Sequence, residues 1–285
     1  NTSVAGTGTL IIDTTAPVAP TVNALTTADT TPTITGTAEI NSSITITVGG
    51  NTYTGTTDGN GNWAITVTTA LSDGSYTVSA TATDALGNTS VAGTGTLTID
   101  TTAPVAPTVT ALTTADTTPT LTGTAEAGST VSVTVDGTAY STTAATGGTW
   151  SITTTVLSDG TYTVSATATD EEGNTSVAGT GTLIIDTTAP NAPTINNQTT
   201  TDTTPRITGT AEANASITVT VDGATYTATA GSNGSWFVDI TSSLSDGTYT
   251  VSARAADALG NTSVAGTGTL IIDTTAPVAP TVNAL

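Results

Sequence analysis

The string Ile-Asp-Thr-Thr-Ala-Pro occurs four times, at 12–17, 99–104, 185–190 and 272–277. Its aspartates are Asp13, Asp100, Asp186 and Asp273, so the period is 87, 86 and 87 residues. Trp63, Trp150 and Trp236 each follow the preceding linker aspartate by 50 residues. Leu-Ser-Asp-Gly recurs at 71–74, 157–160 and 244–247, and Gly-Asn-Thr-Ser-Val-Ala-Gly-Thr-Gly-Thr-Leu at 87–97, 173–183 and 260–270. A fixed period of this kind means that one structural unit is built again and again, each copy meeting its neighbours along the chain. The divisions are 13–99, 100–185 and 186–272. Residues 1–12 carry the pattern of the last strand of a preceding copy. Residues 273–285 carry the linker and first strand of a following one. The chain opens on Asn1 with no signal-peptide pattern, which reads as a segment cut from something longer.

Inside each copy the periodicity is two. Ile44, Ile46 and Val48 alternate with Thr45 and Thr47, and Trp63, Ile65 and Val67 with Ala64 and Thr66. Alternation of this type marks half-buried strands, with Thr on the wet face. Turn-forming clusters rich in Gly, Asn, Asp and Pro separate the runs. In the first copy they predict seven antiparallel strands, at 18–25, 31–38, 43–49, 51–57, 62–69, 75–83 and 93–99. Seven short strands in about 90 residues predict an all-β fold of tandem immunoglobulin-like sandwiches arranged as an extended rod. Tyr76, Tyr162 and Tyr249, each three residues after a Ser-Asp-Gly aspartate, fit the tyrosine corner of that fold.

Composition removes most chemistry. The chain has no Cys, Met or His, and its only cations, Arg206 and Arg254, read as isolated charges. There is then no disulfide or thiolate, no imidazole base and no lysine for a Schiff base, a phosphate loop or an isopeptide staple. No enzyme activity is expected. Repeated acids on turns, with no cleft suggested by the sequence, argue against a two-carboxylate glycosidase. A net charge of −20 disfavours nucleic acid and acidic membranes, and no apolar run approaches the ~18 residues of a membrane span. The natural counter-species is a cation. Regular Thr ladders can order water, but twisted antiparallel sheets do not offer the flat array that ice requires.

Five acids recur in every copy. In immunoglobulin lettering they are the linker series Asp13, Asp100, Asp186 and Asp273; the A–B turn series Asp29, Asp116 and Asp202; the B–C series Glu39, Glu126 and Glu212; the E–F series Asp73, Asp159 and Asp246; and the F–G series Asp84, Asp170 and Asp257. In a sandwich the start of strand A lies at the same pole as the B–C and F–G turns. Asp13 is therefore expected to gather with Glu39 and Asp84, Asp100 with Glu126 and Asp170, and Asp186 with Glu212 and Asp257. Asp273 should be left with an incomplete set, since no B–C or F–G partner follows it. Like charges gathered without Lys or Arg either stay splayed in solvent or hold a hard cation, and oxygen-only ligands suit Ca²⁺. The E–F aspartate reads as the turn before the tyrosine corner, and the A–B aspartate as a turn cap. The single Trp of each copy reads as core packing.

The Asp-Thr-Thr-Ala-Pro-x-Ala-Pro linker, the Thr-x-Thr-Pro-x-Ile/Leu-Thr-Gly-Thr-Ala-Glu strand and the Asp-x-x-Gly-Asn-Thr-Ser turn give the chain a family resemblance. It resembles the bacterial Ig-like repeats of large surface adhesins, among them biofilm-associated proteins and RTX adhesins, over essentially its whole length. The resemblance implies a calcium-binding extender in a secreted, extracellular cell-surface protein, one that holds a distal adhesive domain away from the cell in adhesion or biofilm formation. Its partners would be calcium ions and neighbouring repeats, with no nucleic acid and no membrane insertion in this segment. The alternative is a module that itself binds carbohydrate or protein. That requires a feature present in one copy and absent from the others, such as an exposed aromatic cluster, and none is evident in the sequence.

Overall fold

A computed structural model describes residue 6 and residues 8–279. The first sandwich contains β1 (Leu25–Thr27), β2 (Thr33–Thr37), β3 (Ser43–Val48), β4 (Asn51–Thr56), β5 (Asn62–Thr66), β6 (Gly74–Thr83) and β7 (Gly93–Ile99). The second contains β8 (Thr108–Val109), β9 (Leu112–Thr114), β10 (Thr120–Thr124), β11 (Thr130–Val135), β12 (Thr138–Thr143), β13 (Thr149–Thr153), β14 (Gly160–Thr169) and β15 (Gly179–Ile185). The third repeats that order as β16 (Thr194–Ile195), β17 (Gln198–Thr200), β18 (Arg206–Thr210), β19 (Ser216–Val221), β20 (Ala224–Thr229), β21 (Ser235–Asp239), β22 (Gly247–Ala256) and β23 (Gly266–Ile272). No helix among the described residues is long and apolar enough to cross a membrane.

In the second sandwich a three-stranded sheet, ordered β13-β10-β8, faces a five-stranded sheet, ordered β12-β11-β14-β15-β9. The inward positions that alternation marked in the sequence form the core. Ile44, Ile46, Val78, Ala80, Leu97 and Ile99 are at most 1% exposed in the first sandwich, and each sandwich closes over its own cluster. Trp63, Trp150 and Trp236 are buried in these clusters, as expected of packing residues. The tyrosine corner forms three times: Tyr76, Tyr162 and Tyr249 donate from their hydroxyls to the carbonyls of Ser72, Ser158 and Ser245, at 2.8, 2.9 and 2.9 Å. The hairpin from β11 to β12 turns through Asp136 and Gly137, both at positive φ (48° and 74°), the geometry of a tight primed turn.

The first strand departs from expectation. It is not one antiparallel strand but two pieces on opposite sheets. β8 pairs antiparallel with β10, then the chain crosses over and β9 runs parallel to β15. In the first sandwich, Thr21 and Asn23 donate to the carbonyls of Thr37 and Thr35 in the same way, and β1 runs parallel to β7. The crossing explains the glycines of Gly-Thr-Gly-Thr. A Cβ on Gly93 would lie 1.8 Å from the Pro20 carbonyl oxygen, and one on Gly95 would lie 2.7 Å from Val22. Gly36 is equally confined, 2.0 Å from the Thr21 oxygen and 2.5 Å from the Trp63 ring. The first two inward positions of the last strand, Gly93 and Gly95, are glycine because strand A occupies the space a side chain would take.

Arg206 is not isolated. The β18–β21 register sets it directly opposite Asp239, and its Nε and Nη2 donate to that carboxylate at 2.7 and 3.1 Å. Its guanidinium also lies 4.2 Å from the centre of the Phe237 ring. Both charged partners are more than half exposed, so the pair contributes little to stability. Phe237 is a single exposed aromatic, with one face covered by that arginine. Arg254 donates from Nη1 to the Ser263 carbonyl at 2.8 Å. Residues 1–5, 7 and 280–285, which carry part of the flanking-strand patterns, lie outside the described residues. Residues 8–12 form no strand, with Leu10, Ile11 and Ile12 exposed.

The close approach of strand A predicts that Gly93→Ala lowers the stability of the first sandwich by about 1–3 kcal/mol, the usual range for overpacking. Gly59→Ala, where nothing lies within 4 Å of an added Cβ, should leave it unchanged. Calorimetric melting of the two variants checks this, and equal behaviour would refute the steric account of the crossing.

Candidate functional site at the sandwich junctions

The leading pole of each sandwich carries an acidic cleft. Asp100, Glu126 and Asp170 line one; Asp13, Glu39 and Asp84 line its counterpart in the first sandwich; Asp186, Glu212 and Asp257 line the third. The three series that the sandwich topology assigns to one pole are thus brought together there. Asp273 is exposed, with no B–C or F–G acid described beside it. Asp100 and Asp186, which have a sandwich on either side, are half-buried, whereas Asp13 and Asp273 are exposed.

Local structure aims each acid. The F–G turn is organised by its own aspartate: Asp170 Oδ1 accepts from the Asn174 N–H at 2.8 Å, and Oδ2 accepts from the Asn174 side-chain amide at 2.9 Å. Gly173, at φ +93°, lets the turn close. Asp84 and Asp257 repeat the arrangement with Asn88 and Asn261. These amides, the side-chain one foremost, hold the Asp84 and Asp257 carboxyls below the ordinary aspartate value. For Asp170, partial desolvation is the largest single influence and opposes ionisation, but the Asn174 amides together with the Gly173 and Glu172 N–H groups outweigh it and leave the carboxyl below the ordinary aspartate value. The linker aspartate bends its own backbone: Asp100 Oδ1 accepts from the Thr102 N–H at 3.0 Å. In the B–C turn, Ser42 and Ser129 donate from their hydroxyls to the Glu39 and Glu126 carbonyls, each at 2.7 Å.

Carboxylate oxygens of Asp100, Asp170 and Glu172 lie within 4.8 Å of one another, the one such group among the described residues. Glu126 lines the same cleft but stands outside this tight set. Recurrence selects only acids present in every copy and so passes over Glu172, whose matching residues are Leu86 and Leu259. The signal available was its position two residues after Asp170 in the same turn. The donor set is oxygen throughout, and among the described residues no cation stands in the cleft: the only ion pair is Arg206–Asp239. Such a set fits a hard divalent cation of the calcium type, and Asp100, Asp170, Glu172 and Glu126 are the residues that would hold it.

The opposite pole holds a second set of contacts. Asp73 does more than shape the turn before the tyrosine corner. Its Oδ1 accepts from the Thr101 N–H and hydroxyl at 3.0 and 2.6 Å, and its Oδ2 from the Thr102 hydroxyl at 2.8 Å. Asp159 holds Thr187 and Thr188 in the same way, and Asp246 holds Thr274 and Thr275. The pairing of Ser-Asp-Gly with a Thr-Thr 28 residues later recurs in the sequence and was the signal for it. The A–B acids are turn caps: Asp29, Asp116 and Asp202 accept from the N–H of Thr31, Thr118 and Thr204.

The Thr101 and Thr102 hydroxyls hold the Asp73 carboxyl below the ordinary aspartate value, partial desolvation opposing them. A depressed carboxyl contributes stability that is present above about pH 4, where the unfolded chain's aspartates ionise, and lost as pH falls through the lower folded value. Asp73→Ala should therefore melt below the parent at neutral pH, and the gap should narrow under acid as the parent's own carboxyl takes a proton. A gap that stays constant from pH 7 to about pH 2 would exclude the ionised clamp.

A profile of the bacterial Ig-like domain family matches residues 21–101, 110–187 and 192–274. Among solved structures, the chain is similar to a Ca²⁺-stabilised adhesin with which an Antarctic bacterium reaches out and binds ice. They share 28% identity over 91% of this chain and 74% of that one, with a TM-score of 0.44. It is also similar to a structure from a 1.5-MDa bacterial ice-binding adhesin, at 26% identity over 90% of this chain and 98% of that one, TM-score 0.44. A third is the BSP domain of a biofilm-associated protein, at 16% identity over 93% and 68% of the two chains, TM-score 0.26. No curated protein matches. Three matched copies, each built as the same two-sheet sandwich, make this chain a tandem member of the bacterial Ig-like domain family.

Proposed function

We propose that this chain is an extender segment of a bacterial cell-surface adhesin, and that calcium bound in the junction clefts stiffens it. The observation that carries the reading is the acidic cleft rebuilt at the leading pole of every sandwich, beside the linker and without a cation of its own. Tandem copies of one family domain suit a spacer, because each contacts only its neighbours and length grows by addition. A strand of about eight residues at ~3.3 Å each, plus turns, gives roughly 35–45 Å per unit. The absence of His, Cys and Lys, with a net charge of −20, favours this passive role over catalysis or nucleic-acid binding. An extracellular location supplies the millimolar calcium that weak sites need, with dissociation constants of about 10⁻⁴–10⁻³ M.

In the second sandwich Asp100, Asp170 and Glu172, with Glu126 alongside, hold the ion. Asp186, Glu212 and Asp257, and Asp13, Glu39 and Asp84, hold its counterparts. Asp273 lacks its companions in this chain. Binding to the folded form alone adds about 2.7 kcal/mol at a hundredfold excess over the dissociation constant. Calcium titration should therefore raise the melting temperature and narrow the spread of dimensions seen in small-angle scattering. Asp100→Ala should abolish the contribution of the second cleft. Asp136→Asn, a change in a hairpin turn that keeps the tolerance of positive φ, should not. Equal calcium responses of the two variants, or a parent indifferent to chelator, would leave the acids as solvated turn residues.

A further inference from the structure

Two sets of contacts meet between adjacent sandwiches and come from opposite sides. From the preceding side, Asp100 donates its N–H to the Thr27 carbonyl at 3.0 Å, at the end of β1, and Asp73 holds Thr101 and Thr102. The same contacts form at Asp273, Thr274 and Thr275, where no further sandwich is described, so they belong to the preceding sandwich alone. From the following side, Pro104 and Pro190 are buried. So is Pro17, which no described sandwich precedes, while Pro277, which none follows, is exposed. The following sandwich therefore buries the proline. One anchored segment ends at Thr102 and the next begins at Pro104. Ala103 alone lies between them, as Ala189 does at the second junction. A residue before proline is pushed toward extended conformations, so even this residue is restricted.

One further contact spans the gap. Asn174 of the following sandwich donates its side-chain amide to the Asp100 carbonyl at 2.9 Å, and Asn261 does so to Asp186 at 2.9 Å. Asn88 makes the same bond to the Asp13 carbonyl at 3.0 Å with no preceding sandwich described. Each side thus engages the linker aspartate independently, one through its N–H and the other through its C=O.

We propose that each junction is a one-residue hinge, at Ala103 and Ala189, held by a latch that needs no metal: the Asp73 and Asp159 clamps on one side and the Asn174 and Asn261 amides across it. This rests on the tandem-spacer reading but not on calcium. It assigns the E–F aspartate and the F–G asparagine to setting the angle between sandwiches, and places any cation as a reinforcement of an alignment that already exists.

The chain has no cysteine, so spin labels can be placed cleanly on the full chain through Thr96→Cys and Thr182→Cys, equivalent exposed sites on adjacent sandwiches. In excess chelator the latched junction gives a narrow distance distribution. Asn174→Ala should raise the open fraction about fivefold, the effect of losing the one hydrogen bond it makes across the junction, about 1 kcal/mol. Asp73→Ala, which frees Thr101 and Thr102, and Ala103→Gly, which frees the hinge residue, should each broaden the distribution without touching a cleft carboxylate. Asp136→Asn should match the parent. If the parent in chelator is already as broad as Ala103→Gly, or if none of the three variants broadens it, the latch is refuted. Repeating each measurement with calcium separates the two readings. Broadening in chelator with no calcium response retains the latch and removes the calcium site. A calcium response with all variants equal to the parent in chelator does the reverse.

Discussion

One residue carries the link between sandwiches. The linker aspartate gives its N–H to the sheet behind it and its carbonyl to an asparagine of the sandwich ahead, and its side chain stands in the acidic cleft. The backbone is held at both ends, and the side chain is held too, because Oδ1 accepts from the Thr102 N–H at 3.0 Å. The carboxylate is therefore presented to the F–G acid whether or not the repulsion between them is neutralised. Because Asp100 and Asp186 occupy matching positions with nearly equal distances, the arrangement is a property of the repeated unit and is rebuilt at each junction.

That presentation depends on the path of strand A. It enters at the pole of the B–C and F–G turns, pairs with the three-stranded sheet, then crosses to run parallel with the last strand. Glycine in the last strand and opposite the tryptophan leaves room for the crossing. Small inward residues elsewhere, such as Ala80 and Ala82, let two sheets close over a core with one tryptophan per copy. With the interior filled by aliphatic side chains and the sheet faces by Thr and Ser, the recurring acids fall on the linker and turns, which is to say at the poles.

The acids then divide by what their oxygens already do. Asp73 and Asp29 spend theirs on threonines of the linker and the A–B turn. The Glu126 side chain makes no hydrogen bond among the described residues and is free for another partner. Asp170 is intermediate, organising its turn through Asn174 while one oxygen still lies within 4.8 Å of those of Asp100 and Glu172. The carboxyl that organises the turn therefore stays close to its acidic neighbours. The same asparagine that tightens the F–G turn also reaches across the junction.

Periodicity alone determined the sandwich, its three copies, the inward Ile, Val and Leu positions and the tyrosine corner, because these follow from short-range alternation and from spacings repeated within one chain. The gathering of Asp100, Glu126 and Asp170 at one pole was also legible, since strand order dictates which turns share an end. Only the tertiary structure decided the split of the first strand, because the crossing depends on how closely a backbone can pass over Gly93 and Gly95. Only it paired Arg206 with Asp239, a matter of register between strands 33 residues apart. And only it turned Asp73 from a turn residue into a clamp and brought Glu172 to Asp100. In both cases the partners are 28 or more residues apart and meet through the approach of one sandwich's pole to the linker. A sequence records which acids recur; the distance between two oxygens is set by the packing of everything between them.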